Sequence, residues 1–206
     1  MNFHVPLDNY WTNDENQGMK GHVNTLPPSA YTPEVPMVDL ECRTAPDFVA
    51  RAVVVNMAAQ VLLLHLPDGQ TLQFPVSTSS RGPGNQVGSG CTPTGRFFVA
   101  HKIGEGFPSG TIFKSRQPVG HWLPEEPTLD ATDLVLTRIL WLAGAEPENA
   151  NTLDRYIYIH GTNHEELIGQ AVSHGCIRMK NSDVLVVFDA LDVGDSVWIM
   201  ADVNPP

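Results

Sequence analysis

Residues 156–180 read YIYIHGTNHEELIGQAVSHGCIRMK, and the rest of the chain can be interpreted around this stretch. From Tyr156 to His160 the residues alternate with the two-residue period of a β-strand, so the imidazole shares a face with two tyrosines. Gly175 allows a tight backbone turn immediately before Cys176. A cysteine nucleophile needs a base to take its proton and donors to hold the oxyanion that it creates. The nucleophile, the base and the oxyanion donors can all be assembled from these residues.

The composition is that of a globular protein with an acidic balance. The chain has 206 residues, of which 42% are hydrophobic, and its net charge is −11. A chain of this length can bury a sizeable core. The negative charge argues against nucleic acid and anionic membranes as partners. We expect no transmembrane segment, because the sequence contains no apolar run of about eighteen residues.

The number of cysteines and the first residues of the chain indicate in which cellular compartment the protein works. The three cysteines, Cys42, Cys91 and Cys176, cannot all pair within one chain, which favours a reducing compartment over a disulfide scaffold. The opening MNFHVPLDNYWTNDENQ shows neither the basic nor the apolar region of a secretory signal. We therefore expect a cytoplasmic protein. A periplasmic location is the alternative if an export signal is missing from this chain.

Two regions of different composition are predicted. Residues 1–46 are polar, are interrupted by six prolines and show no regular period. This pattern predicts an extension that is poorly ordered or wraps over the surface, with a lid over the active site as the alternative. Residues 47–206 are predicted to form one catalytic domain.

Short apolar or alternating runs predict β-strands through most of the second region. The predicted strands are 52–56, 61–66, 70–77, 97–100 and 196–200. Residues 104–120, which include Arg116, are predicted as a loop region that either lines a substrate groove or is a plain surface excursion. The glycine-rich segment 81–90 lacks the strand, helix and lysine of a phosphate-binding loop, so that interpretation is rejected.

Two further segments complete the predicted elements. Residues 134–142 alternate like a strand, although their spacing also fits an amphipathic helix. After the quoted stretch a helix is predicted, capped by Asn181 or Ser182 and broken at residues 193–195. Strands therefore dominate, with one clear helix.

Three short motifs carry a family resemblance. HGTN at 160–163 precedes SHGCIRM at 173–179, which places the histidine and cysteine sixteen positions apart, and TPTG lies upstream at 92–95. In this combination the chain resembles the catalytic domain of the bacterial L,D-transpeptidases over roughly residues 48–200. The resemblance implies a mainly-β fold, a sandwich or barrel with one or two short helices. It also favours a strand at 134–142 that pairs toward the strand beginning at Tyr156.

The resemblance assigns roles to individual residues. Cys176 is the nucleophile, and His160 is the base, oriented through a backbone carbonyl at Gly161. The N–H groups of Gly175 and Cys176 would hold the oxyanion. Residues predicted to contact the substrate are Tyr158, Ser173, His174 and Arg178. Arg178 is expected either to bind a substrate carboxylate or to brace its own loop.

The substrate also follows from the resemblance. Family enzymes attack the carbonyl at the L-centre of the third residue of peptidoglycan tetrapeptides, usually meso-diaminopimelate, and expel the terminal D-alanine. The thioester then passes to water, giving a tripeptide, or to an amine, giving a 3-3 cross-link. Because we expect a cytoplasmic protein, we predict an L,D-carboxypeptidase in muropeptide recycling or precursor trimming. The alternative is an L,D-transpeptidase of the cell wall. The resemblance further implies inhibition by carbapenems and no need for a cofactor or metal.

A different class of site could use some of the same residues. His160, His164, His174 and Cys176 have spacings that fit zinc, and ligation would quench the thiolate. A catalytically inactive wall-binding module is a third class, although no glycan-binding repeat is seen. Both are disfavoured because the motifs are explained without them.

Overall fold

The computed structural model describes residues 51–124 and 133–202 of the chain. Within these residues the chain forms ten β-strands, one α-helix and two short 3-10 helices. The strands are β1 (Ala52–Asn56), β2 (Val61–His65), β3 (Thr71–Pro75), β4 (Gly95–Ile103), β5 (Thr111–Lys114), β6 (Gln117–His121), β7 (Val135–Gly144), β8 (Tyr158–Gly161), β9 (Ile177–Met179) and β10 (Ser196–Met200). Helix α1 spans Asn181–Ala190, and the 3-10 helices span Pro147–Thr152 and Glu165–Leu167.

All ten strands belong to one curled sheet. Its order is β3-β2-β1-β10-β4-β7-β5-β6, while β8 pairs with β7 and β9 pairs with β8. Two pairs, β1–β10 and β8–β9, are parallel, and the others are antiparallel. Strand β7, which has ten residues, pairs with β4, β5 and β8 and so connects the two parts of the sheet.

The main hydrophobic core involves the curled sheet and α1. Alternate residues of β1 and β2 are completely buried, as expected for strands that cover a core on one face. Helix α1 contributes Val184, Val187 and Phe188, none more than 2% exposed. Each buried side chain of this size stabilises the fold by roughly 1.5–3 kcal/mol. A smaller cluster contains Phe113, Ile139 and Tyr158, with Cys176 packed against it.

The predicted mainly-β fold with one clear helix is confirmed. The strand interpretation of 134–142 is also correct, since β7 covers this segment and pairs with β8. Its side chains are buried at most positions, which explains why its sequence is almost continuously apolar and fits two periods. The predicted boundary at 46/47, and the extension before it, lie outside the described residues.

Two predicted features differ from the structure. The segment 104–120 is not only loop, because β5 and β6 form a hairpin there. Helix α1 is not capped by Asn181 or Ser182, since Lys180 is its N-cap residue and makes no side-chain cap. Instead the Glu165 carboxylate accepts the N–H of Asn181 at 2.7 Å, so a side chain remote in sequence satisfies this helix end.

Across 51–124 and 133–202, no helix combines the length and the apolar character that crossing a bilayer requires.

Candidate active site

Strand β8 holds the predicted base, and the predicted nucleophile Cys176 directly precedes β9. The two strands run parallel, with Ile159 beside Ile177 and His160 beside Arg178. Both isoleucines are fully buried in the main core. Because side chains alternate across a strand, His160 and Cys176, each one residue away from an isoleucine, face the opposite side. The two reactive side chains are thus directed to the same face of neighbouring strands.

The hydrogen bond of His160 fixes its tautomer. The side chain is 2% exposed, and Nδ1 lies 2.7 Å from the Gly161 carbonyl oxygen. A carbonyl can only accept, so Nδ1 carries the proton and Nε2 keeps a free lone pair. Burial lowers the pKa of His160, while the Gly161 carbonyl and Asp133 act in the opposite direction. The imidazole is therefore neutral at pH 7 and can accept a proton at Nε2.

A bulge in β7 supports this arrangement. Thr137 and Arg138 are inserted into β7 opposite the step from His160 to Gly161. Thr137 has a φ of 69°, which is rare for a β-branched residue, and its hydroxyl donates to Asn181 Oδ1 at 2.5 Å. A Cβ added to Gly161 would collide with the same amide oxygen. The bulge and Asn181 therefore hold the backbone whose carbonyl orients the imidazole.

Cys176 is half-buried and protonated at rest. Its thiol donates to the Tyr156 carbonyl at 3.4 Å. Burial raises the pKa of Cys176 to about 11, although the backbone N–H of Tyr158 and the guanidinium groups of Arg178 and Arg155 act to lower it. An ordinary thiol has a pKa of about 8.5. Attack by this sulfur therefore depends on a base that removes its proton as the bond forms.

Hydrogen bonds shape the turn that presents the thiol. Ser173 is buried, and its hydroxyl donates to the Cys176 carbonyl at 2.7 Å and accepts the Gly175 N–H at 3.3 Å. Gly175 has a φ of 129°, a conformation that side chains rarely adopt. The Thr92 hydroxyl donates to the Gly175 carbonyl at 3.0 Å, so the TPTG segment braces the same turn. The oxyanion role of the Gly175 and Cys176 N–H groups stays a prediction.

Arg178 is buried in an ion pair. Its side chain is 3% exposed, Nη1 lies 3.1 Å from Asp133 Oδ2, and Nη2 donates to the Ser77 hydroxyl at 2.9 Å. The Thr162 hydroxyl donates to the other carboxylate oxygen of Asp133 at 2.9 Å. This network ties β9 to the segment before β7, as expected of an arginine that braces its surroundings. Binding of a substrate carboxylate by Arg178 stays a prediction.

A small cluster that includes aromatic rings packs against Cys176. Tyr158 belongs to the small cluster against which Cys176 packs, and its ring meets Trp141 edge to face at 5.7 Å. Trp141 also stacks on Tyr156 at 5.8 Å, and 52% of Tyr156 is exposed. Burial raises the pKa of Tyr158, although a hydrogen bond from Arg116 acts to lower it. The predicted substrate contact Tyr158 thus lies beside the nucleophile.

Comparison with known proteins identifies the family. The family model for the L,D-transpeptidase catalytic domain matches residues 50–199, which is most of the chain. The chain belongs to this family. The probable L,D-transpeptidase ErfK/SrfK of Escherichia coli K12 is 30% identical over 161 residues, 75% of this chain and 46% of that protein. The probable L,D-transpeptidase YbiS of the same organism is 24% identical over 166 residues, 74% and 45% of the two chains. The chain spans about half the length of the curated relatives that it matches.

Solved structures resemble the chain as well. An L,D-transpeptidase from Mycobacterium smegmatis matches with 19% identity and a TM-score of 0.46, covering 73% of this chain and 58% of its own. The L,D-transpeptidase LdtMt1, solved in complex with imipenem, matches with 21% identity and a TM-score of 0.46, covering 73% and 59%.

Two arginines lie in the region of the thiol, Arg155, which had no predicted role, and Arg116, which lies in the predicted 104–120 loop. Arg155 donates to the carbonyl groups of Gly84 at 3.1 Å and Cys91 at 2.7 Å, and its charge acts on the thiol of Cys176. Arg116 lies at the tip of the β5–β6 hairpin over Trp141. Arg155 lies just before the quoted stretch, so its only signal in the sequence was a basic residue in an acidic chain.

The remaining histidines of the motif region lie apart from the base. His174 is exposed, and His164 Nδ1 lies 3.2 Å from Glu166 Oε1. Among residues 51–124 and 133–202, no three His, Cys, Asp or Glu side chains are grouped so that they could hold a metal ion. The zinc spacing in the sequence is thus not matched by a cluster in this part of the chain. Cys42 lies outside the described residues.

Proposed function

We propose that the protein is a cysteine acyl-enzyme that acts on peptidoglycan tetrapeptide stems. The observation that supports it most directly is the imidazole of His160, whose Nδ1–H is held by Gly161 and whose side chain lies on the strand face shared with Cys176. A protonated thiol beside a neutral base is the starting state that acyl transfer needs. Family membership supports the stem peptide as substrate.

The chemical steps follow from these groups. The Cys176 sulfur attacks the carbonyl carbon at the L-centre of the third stem residue while the thiol proton passes to His160 Nε2. The carbonyl π electrons move to oxygen, and the Gly175 and Cys176 N–H groups hold that oxyanion. The carbon–nitrogen bond then breaks, and the leaving D-alanine amine takes the proton from His160. A thioester between the stem peptide and Cys176 remains.

We propose water as the usual acceptor of the thioester. His160 Nε2 removes a proton from water, the resulting oxygen attacks the thioester carbon, and the proton returns to the sulfur as the tripeptide leaves. The net charge of −11 supports a soluble substrate over an anionic wall polymer, which would repel the protein. The free thiols Cys91 and Cys176 support a reducing cytoplasm as the location, which fractionation of the source cells tests.

Product analysis distinguishes hydrolysis from cross-linking. The enzyme is mixed with a disaccharide-tetrapeptide and an excess of tetrapeptide acceptor, and the products are followed by mass spectrometry. We expect tripeptide and free D-alanine as the main products, with none formed by Cys176→Ala. A dominant 3-3 linked dimer would overturn the hydrolase proposal in favour of an L,D-transpeptidase.

A further inference from the structure

Arg116 is held against two aromatic faces at the tip of the β5–β6 hairpin. Its Cζ lies 4.8 Å from the Trp141 ring centroid and 5.1 Å from that of Tyr156. Nη1 donates to the Tyr158 hydroxyl at 3.5 Å. Stacking on ring faces restricts the guanidinium to one orientation and removes part of its water. Within residues 51–124 and 133–202, the Tyr158 hydroxyl is the hydrogen-bond partner of this guanidinium.

The charge of Arg116 is not neutralised by the described part of the chain. In residues 51–124 and 133–202 no carboxylate forms an ion pair with it, although the chain carries 23 Asp and Glu against 12 Lys and Arg. Other arginines here do have acidic partners, Arg178 with Asp133 and Arg96 with Glu146. A half-buried, stacked guanidinium without an anion is suited to take one from a ligand.

The same two tyrosines connect Arg116 with the nucleophile. The Cys176 thiol donates to the Tyr156 carbonyl, and the Tyr158 backbone N–H lies at the same sulfur. The rings of both tyrosines extend to Arg116. The cation and the sulfur are therefore linked through the same two tyrosines, the sulfur at their backbone and the cation at their side chains.

We propose that Arg116 binds a carboxylate of the stem peptide while Cys176 attacks the adjacent carbonyl. This inference rests on the proposed function, because it takes the tetrapeptide stem as substrate. Two carboxylates flank the scissile bond, one on the terminal D-alanine and one on the D-centre of diaminopimelate. Both offer the two oxygens that a guanidinium can bind side by side. Arg178, which is already paired with Asp133, is less accessible for this task.

Binding to an inactive enzyme tests the proposal without requiring turnover. Calorimetric titration of Cys176→Ala with a disaccharide-tetrapeptide gives a reference Kd. Adding Arg116→Gln to this background should raise the Kd by about 10- to 100-fold, as expected when a hydrogen-bonded charge partner is lost. Arg116→Lys keeps the charge and should recover part of the affinity. A Kd for Arg116→Gln within about twofold of the reference, with an unchanged thermal midpoint, would overturn the proposal.

Two amidated ligands identify which carboxylate is bound. One carries D-alaninamide at the terminus, and the other carries an amide at the D-centre of diaminopimelate. Amidation of the bound group should weaken binding to Cys176→Ala about as much as Arg116→Gln does. The same amidation should not weaken binding to the double variant any further, because amidation and Arg116→Gln remove the same interaction. Equal additional losses in the double variant for both ligands would contradict the assignment.

Arg96 provides a matched control. Its Cζ lies 5.6 Å from the Trp198 ring centroid, so it is stacked like Arg116, but it is paired with Glu146. Arg96→Gln should leave the Kd unchanged.

The proposed reaction and the proposed role of Arg116 fail in different ways. A wild-type enzyme that binds the tetrapeptide in an Arg116-dependent manner, but leaves it intact, would contradict the proposed reaction alone.

Discussion

At the level of single residues, catalysis depends on which nitrogen of the His160 imidazole carries the proton. The Gly161 carbonyl keeps that proton on Nδ1, and burial lowers the pKa of His160. Burial shifts the pKa of the Cys176 thiol in the opposite direction, raising it to about 11. Both effects favour the neutral form, so the resting pair is a thiol and an imidazole rather than a thiolate and an imidazolium.

Replacement of His160 should therefore remove general-base catalysis. His160→Ala should lower the rate of acylation of Cys176 by about 10²- to 10⁴-fold, as is typical when a base is lost. The wild-type rate should fall on the acid side only below the ordinary histidine pKa of 6.5, because a lowered pKa keeps the base neutral to lower pH. Stopped-flow acylation by a carbapenem, followed at several pH values, measures the rate lost in His160→Ala and the pH dependence of the wild-type rate.

Exposed His174 is the control for this prediction. His174→Ala should affect folding or substrate binding more than the chemical step. A larger defect in the rate of acylation for His174→Ala than for His160→Ala, with both proteins folded, would reverse the two roles.

At the scale of elements, the site depends on how closely β8 packs against β7 and α1. Gly161 has no room for a side chain, since an added Cβ would lie 2.9 Å from the Leu136 carbonyl oxygen and closer still to Asn181 Oδ1. Asn181 Nδ2 donates to the Thr162 carbonyl at 2.8 Å and to Glu165 Oε1 at 2.7 Å. A shift of Asn181 would thus disturb the start of α1 together with the backbone beside His160.

Gly161→Ala tests this packing. We expect a loss of about 1–3 kcal/mol in the free energy of unfolding, the usual cost of an added methyl in a filled core. Acylation of Cys176 should slow as well, because the carbonyl that orients His160 would move. Urea denaturation followed by fluorescence measures the stability. Gly120→Ala is the control, since its Cβ would lie 3.7 Å from Ile112 Cδ1, an ordinary contact among the described residues. An equal loss of stability in both variants would contradict the argument.

The elements also show how far the sequence allowed prediction. The strand that ends at the base was predictable because alternation in residues 156–160 is a local signal. The β5–β6 hairpin was not, because its turn residues Ser115 and Arg116 both have positive φ, where asparagine and glycine are usual. The parallel pairing of β8 with β9, and the bulge at Thr137, depend on contacts across the fold that local periodicity does not encode.

At the level of the whole molecule, the net charge and the free thiols are relevant to two questions. One is which acceptor takes the thioester, and the other is in which compartment the protein works. The net charge of −11 disfavours approach to an anionic polymer, and the effect weakens as salt screens the charges. The second described cysteine, Cys91, is also free, and its carbonyl accepts from Arg155 near the nucleophile. The chain therefore has two thiols in this region, of which only Cys176 lies beside the strand that carries the base.

The mass of the whole protein after reaction tests the central claim most directly. The complete chain is treated with a carbapenem, or with the tetrapeptide under acid quench, and the adduct is located by peptide mapping. The account predicts one adduct, on Cys176, in the wild type and in Cys91→Ser, and none in Cys176→Ala. An adduct on Cys91 with Cys176 unmodified, or a Cys176→Ala protein that still releases D-alanine, would contradict it.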